Sequence, residues 1–202
     1  MFTVEESRRI LGAARQRGIK LRLHADELAH TGGAELAAEL GARSADHLVH
    51  VSPAGMKALA AASCVATLLP AAAFYLRLGR FAPARALVDA GAPVALASDV
   101  NPGGGLSPSL PFAMALGCFG MGLSLEEALA AVTVNAAFSV DRHLEAGSIE
   151  VGKRADLVLL RSARLLDLVR VGVPAIRGVV KDGRMVVRDV LRSLVHAPPP
   201  FP

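Results

Sequence analysis

The residues best equipped for chemistry in this chain lie in LRLHADE, positions 21–27, where an alternating apolar run ends in a histidine and two carboxylates. Leu21 and Leu23 suit a buried strand. His24, Asp26 and Glu27 follow where that strand gives way to a loop, which is where α/β folds place their sites. A second carboxylate, Asp99, stands in a comparable place in ALASDVNPGG. It follows the apolar run 94–97 and precedes Asn101, Pro102 and three glycines at 103–105. An imidazole nitrogen and a carboxylate oxygen form a mixed ligand set suited to zinc or iron(II), with room left for the water of a hydrolysis. The same residues fit a plainer role, with His24 hydrogen-bonded in a core and Asp99 capping a helix. The two positions alone leave both readings open.

Elements must hold these residues in place, and the periodicity supplies them. Strands are expected at 21–24, in SADHLVHV (which carries Asp46, His47 and His50), at 64–70 and at 93–97. Between them GGAELAAELGA reads as a short helix broken at Gly41, PAGMKALAAAS as a helix opening on Pro53, and 82–90 as a helix leading out through Gly91. Four strands alternating with helices imply a parallel sheet, and four such units are half of an eight-stranded barrel. The chain opens on a helix: Thr3 and Glu6 have capping-box spacing, and the amphipathic pattern runs to about Gly18. Beyond Asp99 the pattern is helical at 110–122, at 124–133 with Glu127 again at capping-box spacing, and from Asn135 onward. From Gly147 it changes to short β-rich pieces, ADLVLL, AIRGVVKDG and RMVVRD, with Asp182-Gly183 as a hairpin turn. This divides the chain into a βα portion at 1–146, a β-rich portion at 147–190 and a proline-rich tail at 191–202.

Composition narrows the class. The 202 residues suffice for one core but fall short of the roughly 250 of a complete (β/α)8 barrel. Apolar residues make up 52% and mean hydropathy is +0.43. No run approaches the ~18 apolar residues of a membrane span, and strands buried on both faces account for the hydrophobicity. The net charge of +4 comes from scattered arginines, and seven Phe, one Tyr and no Trp give little for bases to stack on, so neither nucleic acid nor membrane is an expected partner. Cys64 and Cys118 sit in apolar contexts without CxxC spacing and read as small buried hydrophobes. Ser107 and Ser109 lack a GxSxG elbow, and the glycines at 103–105 lack a phosphate-loop context. The first residues lack a signal-peptide pattern, which leads to an expectation of the cytoplasm.

LRLHADELAHTGGAELAAELGARSADHL, LLPAAAFYL, ALASDVNPGG, EEALAAVTVNAA and GSIEVGKRADLVLL, in this order and spacing, resemble the second half of the imidazolonepropionase family of amidohydrolases. HADE and SDVNPG are the specific part; VTVNAA and GSIEVGKRADLV are common to many amidohydrolases. The resemblance implies an α/β fold: the carboxy-terminal half of a metal-dependent amidohydrolase (β/α)8 barrel, with part of a small β-sandwich. It implies hydrolysis of 4-imidazolone-5-propanoate to N-formimidoyl-L-glutamate, with one divalent metal, zinc or iron. By the same resemblance His24 and Asp99 are metal ligands and Asp99 also moves the proton. Glu27 contacts the substrate and handles protons, His47 steadies the attacking water or the oxyanion, and Asn101, Gly103 and Gly104 touch substrate or product. Gly104 departs from the pattern, since a hydroxyl residue is usual there, and three glycines in a row suggest a looser loop. His30, His50, His143 and His196 read as surface or loop residues.

The HxH pair that supplies two ligands from the first barrel strand in this superfamily is missing from the sequence. The chain is therefore expected to need a complementing amino-terminal half, or, if full-length, to form a homodimer. Two other classes stay open: another cyclic-amide hydrolase or deaminase on the same barrel, and a non-enzymatic fragment that needs a partner chain. A half-barrel is also expected to expose apolar positions between 21 and 49 and the runs 65–69 and 94–97 to water.

Overall fold

Helix α1, Val4–Gln16, begins with a reciprocal cap. Thr3 Oγ1 accepts the Glu6 N–H at 3.2 Å while Glu6 Oε2 accepts the Thr3 N–H at 2.8 Å, so two otherwise unpaired amides are satisfied. The computed structural model describes residues 2–172 and 174–188; the proline-rich tail and His196 lie outside the described residues. After α1 come four strands, β1 (Arg22–Ala25), β2 (Ser44–His47), β3 (Val65–Leu68) and β4 (Val94–Leu96), all parallel and adjacent in chain order. The helices between them are α2 (Gly33–Glu39), α3 (Pro53–Ala61), α4 (Pro70–Tyr75) and α5 (Ala84–Asp89). Helix α4 lies where the sequence suggested only a strand closed by proline. Pro70 fits because the first turn of a helix needs no N–H from it.

The sheet divides its two faces by chemistry. Leu21, Leu36, Leu59, Leu68, Leu87 and Leu96 form the apolar core between the sheet and its helices. The other face carries Arg22, His24, Asp46 and Thr67, with Asp99 above, around a cavity of about 590 Å³. Beyond β4 follow α6 (Leu110–Met121), α7 (Leu125–Val132) and α8 (Val134–Ser139). Helix α8 folds back across this inner face. Its Asn135 Nδ2 donates to the Val94 carbonyl at 2.8 Å, and Arg22 Nη2 donates to the Ser139 carbonyl at 3.0 Å. Asp141, just past α8, is gripped by Arg43 and Lys20, and hydrogen bonds from these two hold its carboxyl down at about 2.

The expectation of apolar strands meeting water is corrected here. Val65 and Leu68 are fully buried, Val94 is 4% exposed and Leu69 8%. Leu68 and Val94 point at the helices, whereas Val65 and Leu69 share the inner face with Thr67, part of which α8 covers. A second sheet of three antiparallel strands follows, β5 (Leu157–Leu160), β6 (Ile176–Lys181) and β7 (Arg184–Arg188). Asp182 and Gly183, both at positive φ, make the tight turn between β6 and β7. Among the described residues no helix is long and apolar enough to cross a membrane.

The joint between β1 and α2 leaves no room for a side chain at Gly33. A Cβ there would lie 2.9 Å from the Ala25 Cβ and 3.0 Å from the Ala25 Cα, which is backbone and cannot step aside. Gly33→Ala is expected to destabilise the chain by about 1–3 kcal/mol, the usual cost of overpacking. The shift in the urea midpoint at unchanged slope measures it; an unchanged midpoint would show that this joint yields.

Candidate functional site

Three of the four parallel strands end in a residue that turns the chain sharply. Asp26 just past β1, His47 and Leu48 at the end of β2, and Asp99 past β4 all have φ between 49° and 73°. This region is uncommon for residues other than glycine, though Asp and His enter it more readily than most. The turns bring side chains from separate strands together above the sheet. The His24 and His47 rings meet edge to face with centroids 4.7 Å apart. His47 Nδ1 lies 3.4 Å from Glu27 Oε1, and His24 Nδ1 lies 3.8 Å from Asp46 Oδ2. His24 and Asp99 line the same cavity. His47 is almost fully buried, whereas 69% of the His24 side chain is exposed.

Burial sets the character of His47. Loss of water around the charged ring pushes its pKa below the usual value, against the attraction of Glu27, and positive His24 would add to the effect while Asp99 and Asp46 oppose it. The neutral imidazole is thus favoured, and a neutral ring can both donate and accept a hydrogen bond.

Asp99 sits at the root of a braced loop. Asn101 Nδ2 donates to both the carbonyl and Oδ1 of Asp99 at 2.9 Å, Gly103 N–H donates to Asn101 Oδ1 at 2.8 Å, and Gly105 N–H donates to the Asp99 carbonyl at 3.0 Å. The structure therefore ties the run of glycines down, against the looser loop suggested by composition. Asn101 spends its amide within the loop and holds the Asp99 carboxylate, and Gly103 is exposed beside it. Gly104 lies directly over that carboxylate, since a Cβ there would come 2.8 Å from Asp99 Oδ2.

The structure thus brings His24, Glu27, His47 and Asp99 to one end of the sheet, with Asn101, Gly103 and Gly104 flanking Asp99. Asp46 joins them, although the sequence reading gave it no role. The signal was its phase, because Asp46 is the direct parallel partner of His24 and so faces the same side. Asp26, in contrast, turns away from the cavity. Its fully buried carboxylate accepts from the Thr31 N–H at 2.7 Å, Thr31 Oγ1 and Gly33 N–H at 3.2 Å, and Ala34 N–H at 3.1 Å, which caps α2. Asp26, His30 and Glu35 bring possible ligand atoms within 4.8 Å of one another. Asp26 is already committed to four donors there, and Glu35 Oε1 accepts the hydroxyl of Ser52 at the head of α3.

The fold and the strand-end cluster can be set beside known proteins. The model of the amidohydrolase family matches residues 1–187. This chain belongs to the amidohydrolase family. It is 51% identical over 187 residues to imidazolonepropionase of Parabacteroides distasonis, covering 92% of this chain and 44% of that protein. Against imidazolonepropionase of Clostridium tetani the identity is 48% over 190 residues, covering 93% and 45%. The chain spans less than half the length of these curated relatives. Among solved structures it is similar to an adenosine deaminase from Xanthomonas campestris with bound zinc, with a TM-score of 0.75 and 20% identity, over 96% of this chain and 53% of that one. An atrazine chlorohydrolase from Arthrobacter aurescens complexed with zinc gives 0.72 and 19%, over 96% and 51%. At that identity the likeness concerns the fold, half of an amidohydrolase barrel. His24 and Asp99 offer one nitrogen and one oxygen to the cavity they both line. Two ligands fall below the usual three of catalytic zinc.

The depressed pKa of His47 has a consequence for stability. The unfolded chain binds its proton near 6.5, and the folded chain only at lower pH. The stabilisation from neutral His47 is therefore present above pH 6.5 and is lost as pH falls through the folded value. Unfolding free energies measured from pH 7.5 down to 5 should decrease, and His47→Asn should flatten that decline. Equal slopes for the two proteins would remove His47 as the source.

Proposed function

We propose that this chain is the carboxy-terminal half of an imidazolonepropionase. Completed by the other barrel strands, it hydrolyses 4-imidazolone-5-propanoate to N-formimidoyl-L-glutamate. One observation carries the reading: in a chain about half identical to imidazolonepropionases, His24, Glu27, His47 and Asp99, drawn from three strand ends, gather at one end of the sheet. The complementing strands come from an amino-terminal half or, in a full-length form, from the same polypeptide as part of a homodimer. The cytoplasmic location expected from the sequence belongs to this proposal.

His24 and Asp99 would hold one divalent ion, zinc or iron, with further ligands from the completing half. When bound, such an ion supplies positive charge that polarises a carbonyl and acidifies water at neutral pH. The residues of this chain do the rest. The Asp99 carboxylate, steadied by the Asn101 amide, takes the proton of the attacking water and passes it to the departing ring nitrogen. Glu27 orients the ring by accepting its N–H, and it also holds His47 Nδ1. Neutral His47 then presents its other nitrogen to the reacting centre. Gly103 and Gly104 allow the substrate to approach the loop closely, with no side chain in the way. A purine or another cyclic amide on the same barrel is the competing substrate class.

The test is reconstitution with a chain carrying the first barrel strands, assayed for loss of the imidazolone and, in parallel, on purines. Glu27→Gln should keep its metal and lower kcat by about 10² or more, the scale of a positioned acid or base. His24→Ala should lose metal and activity together. Turnover of purines without the imidazolone, or wild-type kcat in Glu27→Gln, would overturn the assignment.

A further inference from the structure

A line of hydrogen-bonding side chains crosses three neighbouring strands on the inner face. His24 on β1 is the direct partner of Asp46 on β2, and Asp46 that of Thr67 on β3, so all three share one level of the sheet. Ser44, two residues before Asp46 on the same face, completes the line. Its hydroxyl donates to Asp46 Oδ1, and its oxygen lies 2.8 Å from Thr67 Oγ1. Ser44 has one proton to give and gives it to the carboxylate, so it must accept from Thr67. The polarity of the chain is therefore fixed: Thr67 donates to Ser44, and Ser44 donates to Asp46.

This leaves Asp46 Oδ2 free to accept, and the group it faces is His24 Nδ1, 3.8 Å away. Asp46 is held by Ser44 and its side chain is only 17% exposed, whereas the His24 ring is exposed and turns broadly about its terminal torsion. A swing of about 0.8 Å closes the gap to an ordinary hydrogen bond of ~3.0 Å. We propose that Asp46 is the positioning residue of His24. Held by Ser44 and Thr67, its carboxylate selects the Nδ1–H form of the imidazole and leaves the Nε2 lone pair facing the cavity that Asp99 lines, ready for a divalent cation. The arrangement follows the general rule that a ligating histidine gives its second ring proton to a carboxylate or carbonyl. The inference rests on the reading of His24 as a ligand, and it adds a residue, a direction of hydrogen bonding and a tautomer.

The tautomer is read directly from long-range proton–nitrogen NMR spectra of the 202-residue chain without metal, above the titration range of histidine. Wild type should show His24 with its proton on Nδ1. Asp46→Ala should shift it toward the Nε2–H form that an unrestrained imidazole prefers, and Asp46→Glu should restore it in part. On titration with zinc alone, the Nε2 signal should respond in wild type, and Asp46→Ala should bind about 10- to 100-fold more weakly. Ser44→Ala, which removes the donor that holds Asp46 Oδ1, gives a mixture of tautomers and replaces Asp46→Ala if that variant does not fold. An Nε2–H His24 in wild type, or a tautomer that these variants leave unchanged, overturns the proposal. A reconstituted protein inactive on the imidazolone would instead overturn the proposed function and leave the tautomer result standing.

Discussion

The buried carboxylate of Asp26 is the interaction on which the rest of the site depends. With its side chain fully buried, it takes hydrogen bonds from Thr31, Gly33 and Ala34, which fixes the first turn of α2 directly behind the end of β1. A negative charge at a helix start is favoured by the peptide dipoles, and hydrogen bonds to an ionised acceptor are stronger than neutral ones. The backbone of Asp26 adds a second tie, because its carbonyl accepts the His50 N–H at 2.8 Å and so couples the end of β1 to the segment after β2. Between these anchors His24 and Glu27 have little freedom in where they emerge. The 3.4 Å approach of Glu27 to His47 follows from them.

The two faces of the sheet solve different problems. Toward the helices, leucine, valine and alanine make a dry core that this chain closes by itself. Toward the barrel axis Arg22, His24, Ser44, Asp46 and Thr67 are polar or charged, with Val65 and Leu69 as apolar members of the same face. The inner face is therefore not a hydrophobic half waiting for its counterpart, and α8 and the clasp of Arg43, Lys20 and Asp141 close its lower end. Exposed apolar side chains are spread along the chain, and on the second sheet they include Val158, Val186 and Val187.

Local signals in the sequence proved readable where local physics decides. The caps at Thr3 and Ser124, the proline starting α3 and the Asp182-Gly183 turn all depend on a few adjacent residues, and the structure has them in place. The four strands were visible between the helices, although the second stops at His47, short of the full SADHLVHV stretch. What escaped the sequence depends on distant partners. Pro70 reads as the end of a strand or the first turn of a helix, and only packing against α6 distinguishes the two. The return of α8 across the sheet rests on Asn135 and Arg22, which are separated from their acceptors by 41 and 117 positions. Among the candidate residues, His24, Glu27 and Asp99 stood out by type and position, and His47 entered through the family resemblance. Asp26 looked like one of them until its burial behind the strand was seen, and Asp46 was passed over because its importance lies in which neighbour it faces.

The bare backbone of Gly104 over Asp99 bears on how that carboxylate can move. A β-carbon at this position would sit 2.8 Å from Oδ2 and would restrict rotation of the carboxylate. Here one oxygen is held by Asn101 and no side chain at 104 stands against the other, so position 104 itself sets no bar to rotation about the terminal bond. Under the proposed role, in which Asp99 takes a proton at one point and releases it at another, such rotation is useful. A side chain at 104 would narrow it, so position 104 bears on how freely the Asp99 carboxylate turns.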